Sequence, residues 1–66
     1  MSRDRIAELR DELARLAEEL GEVGLDVLRR AVDDGATARP PEEKALAQAR
    51  RAVEKAVAAL EPHARD

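Results

Sequence analysis

The chain has 66 residues, no cysteine and no aromatic residue; 41% of it is charged, and its net charge is −3 at neutral pH. That length admits one small domain, the missing cysteines exclude a disulfide scaffold, and a core without aromatic rings must be built from Leu, Val, Ile and Ala. The abundance of Ala, Glu, Arg and Leu is that of long helices and coiled coils, so an all-α fold is expected.

Ser2 is placed to cap a first helix, and Asp4 would complement the positive end of its dipole. From there the aliphatic residues Ile6, Leu9, Leu13, Leu16, Leu20, Val23 and Val27 alternate in steps of three and four. Because that rhythm nearly matches the helical turn, it predicts one narrow apolar seam. The outward positions mix signs, as where Arg15 stands three or four residues from Asp11, Glu12, Glu18 and Glu19. Such pairs contribute a few tenths of a kcal/mol each and keep a helix solvated.

Gly21 and Gly24 interrupt this helix, each at a cost of about 1 kcal/mol relative to alanine. The seam nevertheless stays in phase through Val27, and a second apolar row, Leu25, Leu28 and Val32, begins beside it. One helix over about 3–34, kinked at the glycines, is therefore expected. The alternative is a break at Gly21–Gly24 and a compact three-helix bundle. Asp33-Asp34-Gly35 provides the stop, with Gly35 in the left-handed position. A loop over about 35–40 follows, short enough to make its flanking helices antiparallel neighbours.

Pro41 suits the first position of a second helix, and Glu42 and Glu43 suit its first turn. This helix should run over about 41–61 with a broad, alanine-rich apolar face: Ala45, Leu46, Ala49, Ala52, Val53, Ala56, Val57, Ala59 and Leu60. Small side chains allow close approach of two helix axes. Pro62 should end it and leave 62–66 as a solvated tail.

At 1.5 Å per residue the first helix is roughly 45 Å long and the second roughly 30 Å. Folded back, the second should cover only about Ala14 to Asp34 and leave Ile6, Leu9 and Leu13 bare. That mismatch leads to the expectation of a dimeric four-helix bundle of two hairpins, with Ile6, Leu9, Leu13, Leu16, Leu20 and Val23 as the interface.

Chemistry-bearing residues are sparse. The one histidine, His63, lies beyond Pro62, and Ser2 and Thr37 are the only hydroxyls. The carboxylate pairs Glu8/Glu12, Glu18/Glu22 and Glu42/Glu43 lack the inward-facing Glu-x-x-His pattern of di-metal bundles, so no metal and no cofactor is expected. Arg29-Arg30 and Arg50-Arg51 are a candidate anion-binding set if a hairpin brings them together. Asp26, Asp33, Asp34, Glu43 and Glu54 surround them, and no aromatic is present for base stacking, which argues against nucleic acid. The longest apolar run, Ala56 to Leu60, is far too short to span a membrane. Ten arginines to two lysines hint at a high-GC bacterial source, and the opening residues do not resemble a signal peptide, so a cytoplasmic location is expected. Ile6-Ala7-Glu8-Leu9-Arg10-Asp11-Glu12-Leu13 resembles the first helix of the all-helical chorismate mutases. The likeness covers one or two turns, and the chain is too short for that fold, so no site residue is carried over.

The functional expectation is a non-enzymatic, self-associating interaction module, a small accessory or docking subunit of a larger protein partner. The alternative is a regulatory phosphate- or nucleic-acid-binding protein using Arg29, Arg30, Arg50 and Arg51.

Overall fold

The apolar rhythm of the first thirty residues does form a single helix. The computed structural model describes residues 3–64, and side chains over 5–64. Ser2, the side chain of Asp4, and Arg65 and Asp66 lie outside the described residues, and with them the expected N-cap, its dipole partner and the end of the tail. Helix α1 (Arg3–Asp33) has 31 residues and is unbroken through both glycines. The three-helix alternative is thereby excluded. Helix α2 (Pro41–Leu60) has 20 residues, and a 3-10 turn, Glu61–His63, continues it. The two helices pack side by side as an all-helical antiparallel hairpin with extents of 50 × 13 × 13 Å.

The loop is made as its residue types require. Gly35 takes φ +82°, a left-handed value that carries no Cβ penalty for glycine. With Gly35 in that conformation, Ala36 N–H donates to the Ala31 carbonyl at 2.9 Å and Gly35 N–H to the Val32 carbonyl at 3.0 Å. These two bonds are the paired closure that satisfies the last carbonyls of a helix. Extended Pro40 then caps α2 by position, without a side-chain bond, and Pro41 occupies the first turn, where a missing N–H leaves no gap. Arg39 spans the junction and donates to Glu43 through both Nε and Nη2, tying the loop to the helix it precedes.

Helix α2 meets only part of the apolar row of α1. The residues shielded on α1 recur as Ile6, Arg10, Leu13, Ala17, Leu20, Gly24, Val27 and Ala31, with Ala17 buried and the others half-buried. Ile6, Leu13, Leu20 and Val27 belong to the expected seam, whereas Leu16 and Val23 stand 48% and 50% exposed on its flank. The reason is steric. Against one partner helix, small residues at alternate positions allow the close approach that leucines in both rows would prevent. From α2 the half-buried Glu43, Leu46, Val53, Val57 and Leu60 point inward. The alanines expected to make that contact do not. Ala45, Ala49, Ala52 and Ala59 are exposed, and only Ala56 is half-buried.

The expected bare front of α1 and free tail are also corrected. The 3-10 turn packs back on α1, Arg10 donates to Glu61 at 2.7 Å, and Ala64 is buried at 6% exposure. Pro62 sits in the first turn of the 3-10 segment, where its ring is tolerated, so the chain continues along α1 instead of fraying. Ile6, Leu9 and Leu13 are consequently half-buried rather than bare.

The glycines sit where α2 crosses. A Cβ built on Gly21 would lie 2.7 Å from Nη1 of Arg50, whose guanidinium therefore rests over the bare backbone. One on Gly24 would meet Leu46 Cβ at 3.9 Å, an ordinary contact. Gly24→Ala should therefore keep the packing and gain helix propensity of about 1 kcal/mol. The expected result is a thermal midpoint raised by about 4–8 °C. An unchanged or lower midpoint in a calorimetric scan would show that the site needs the missing side chain.

Candidate functional site

A two-helix hairpin has one seam and two open faces, and here the faces differ in chemistry. One is a solvent-open groove of about 610 Å³ between the helices, floored by Gly21, Gly24 and Leu28 of α1 and Leu46 and Ala47 of α2. Glu18, Glu22, Glu43, Arg50, Arg51 and Glu54 also line it, so both charge signs border the apolar floor. Leu25, 55% exposed, lies on this side. Arg50 is paired with Glu54 at 3.4 Å. Four glutamates against two arginines give the groove a net negative lining, which weakens it as an anion site.

The opposite face is apolar. Residues three and four apart share a side of a helix, so the row Leu9, Leu16 and Val23 lies on the flank of α1 turned away from the groove. On α2 the residues bordering the groove are Ala47, Arg50, Arg51 and Glu54, which places Ala45, Ala49, Ala52, Ala56 and Ala59 on the other flank. The antiparallel arrangement puts these two flanks on the same side of the hairpin. Together they form an open strip of leucine, valine and alanine along the middle of the hairpin, roughly 25 Å long by helical rise. Of the expected interface residues, Leu9, Leu16 and Val23 are on this strip, and Ile6, Leu13 and Leu20 are in the seam beneath α2. The small size of the strip's alanines suggests the intramolecular contact, yet they lie outside it. Their offset from the row Leu46, Val53 and Leu60 was the available sign that they face elsewhere.

The arginine doublets do not converge. Arg50 lies beside Gly21, and Arg29 and Arg30 are at least about 12 Å further along α1 by helical rise. Arg30, on the surface, reaches Asp26 at 3.9 Å. Arg10 joins the two helical ends instead, 2.8 Å from Asp11 and 2.7 Å from Glu61. The hydrogen bond with Asp11, opposed by partial burial and reinforced by the charges of Asp11 and Glu61, raises its already high pKa. This pair joins the two ends of the chain and is structural in character.

No His, Cys, Asp and Glu cluster suited to a metal ion occurs among the described residues. His63 is exposed in the 3-10 turn and Thr37 is exposed in the loop, so neither is set in a cleft beside an orienting partner. No helix among the described residues is long and apolar enough to cross a membrane. Comparison with protein-family models, with curated proteins and with solved structures finds no match for this chain.

Proposed function

We propose that the chain is a non-enzymatic helical interaction module that works by packing its Leu/Val/Ala face against other helices, first of all those of a second copy of itself. One observation carries this reading. Among the described residues only Ala17 and Ala64 are buried, no side chain is fully buried, and Leu16, Val23, Leu25 and Val32 are 48–65% exposed. Folding must offset roughly 1–2 kcal/mol of backbone entropy per residue. A hairpin that fully buries two alanines and half-buries the aliphatic residues of one seam removes less apolar surface from water than a closed bundle, which leaves it marginal against that cost. Covering the open face with further helices supplies the missing burial, and a docking role in a larger assembly uses the same surface.

The test changes the face without touching the seam. Leu16→Asp with Val23→Asp places charges at positions that are already half exposed in the single hairpin. Sedimentation equilibrium at micromolar concentration should give twice the chain mass for the unmodified protein and one chain mass for the double variant. A single-chain mass for the unmodified protein, with full helicity, would defeat self-association, and an unchanged assembly in the variant would defeat this face.

A further inference from the structure

The open face is asymmetric in shape, and the asymmetry selects one way of pairing. Its α1 side is a ridge, Leu9, Leu16 and Val23, repeating every seven residues. Its α2 side is a furrow of alanine. We propose that two copies associate face to face about a two-fold axis parallel to the helices, each copy's leucine and valine ridge seated in the other's alanine furrow. This rests on the self-association proposed above and specifies its partner geometry.

Two copies can place this face against itself in two simple ways. An axis running along the hairpin exchanges left and right, so α1 of one copy lies over α2 of the other at the same height. An axis running across it sets ridge on ridge and furrow on furrow. The second arrangement leaves leucines holding the alanine sides apart, and the voids so made forfeit contact energy. The first fits large against small.

Height can be read from the hairpin itself, in which Arg10 meets Glu61, Gly21 meets Arg50 and Gly24 meets Leu46. On that scale Leu16 stands level with the hollow between Ala52, Ala56 and Ala59, and Val23 with the hollow between Ala45, Ala49 and Ala52. A side chain entering a hollow of residues spaced by three and four is the packing of coiled coils. The apolar strip runs roughly 25 Å, about half of the 50 Å body, so the patch of about 800 Å² per partner that stable pairs bury has to include the charged residues along its edges.

Charge points the same way. The outer edge of α1 beside the ridge carries Glu12, Glu19 and Asp26, with Arg5 and Arg30 at its ends 3.9 Å from Glu12 and Asp26, whereas the edge of α2 beside the furrow is alanine with Gln48 and Lys55 behind it. Ridge over furrow brings Lys55 of each copy level with the interval between Glu12 and Glu19 of the other, and sets exposed Arg30 near the other copy's Glu42. Ridge over ridge would bring the mid-length acids Glu12 and Glu19 of the two copies together and leave Lys55 away from them. Opposed like charges select against a wrong geometry as effectively as attraction selects a right one.

The chain has no cysteine, so introduced thiols are unique. Full-length Leu16→Cys and Ala56→Cys proteins, with Ala52→Cys as a second furrow probe, are checked for helicity by circular dichroism, mixed in equal amounts and oxidised. Mixed Leu16–Ala56 or Leu16–Ala52 disulfide should exceed self-linked Leu16→Cys by roughly tenfold, because the bond closes only when Cα atoms come within about 7 Å. Predominant self-linking of Leu16→Cys, or no cross-link in a protein whose mass is that of a dimer, would overturn the ridge-in-furrow geometry while leaving self-association intact. A monomer mass with no cross-link would overturn both.

Discussion

Leu13→Asp together with Leu20→Asp is expected to abolish the hairpin at every concentration, whereas the same pair of charges placed three residues further on, at Leu16 and Val23, should leave the seam intact and only weaken the hairpin. Leu13 and Leu20 are half-buried in the row that meets α2, between which Ala17 is buried at 6% exposure. Each replacement forfeits apolar burial worth up to about 1.5–3 kcal/mol, at the low end for a half-buried side chain, and adds the cost of partly desolvating a carboxylate. Val57 and Glu61 are near the level of Leu13, so the new charge at 13 gains no cation from α2 and adds to the acid that Arg10 already holds at 2.7 Å. Stability in domains of this size is of the order of 0.05–0.15 kcal/mol per residue. Two such losses consume most of it. Far-UV circular dichroism should therefore show largely disordered chain for Leu13→Asp/Leu20→Asp at any protein concentration. Retention of helix and of the native mass would mean that the seam lies elsewhere than on these residues.

The contrast between the two pairs marks the limit of what the sequence conveys. Element order was legible because its signals are local: the three-four rhythm of α1, Gly35 at its end, Pro41 and two glutamates at the start of α2. The partition of α1 between seam and open face was not. Hydrophobic size served as the measure of burial, and it favours Leu9, Leu16 and Val23 over Arg10, Ala17 and Gly24. A single helix packed closely against another reverses that order, because alanine and glycine admit the neighbour and leucines flank it. The alanines of α2 were misread for the same reason, small residues being taken as a sign of the intramolecular contact. At the C-terminal end the missing information is long-range. Arg10 and Glu61 are separated by 51 residues, and no local pattern announces their pairing. Pro62 as a stop was a sound local rule that a 3-10 turn evades, since the proline falls where no backbone donor is needed. The length mismatch that first suggested a partner disappears with that turn. The case for a partner now stands instead on how little the hairpin buries.

If folding and pairing are one transition, the melting temperature depends on protein concentration, because each tenfold dilution removes about 1.4 kcal/mol from the associated state. Spread over the melting entropy of two 66-residue chains, this corresponds to about 5 °C per tenfold dilution. Melting followed by circular dichroism over a hundredfold range of concentration should therefore move by about 10 °C. Leu16→Asp/Val23→Asp, its open face made polar, should melt lower and at one temperature throughout. A midpoint for the unmodified chain that stays fixed across the same range would mean that one seam, closed by Ala17 at its middle and Ala64 at its end, suffices for a stable hairpin, and self-association would no longer be needed to account for its folding.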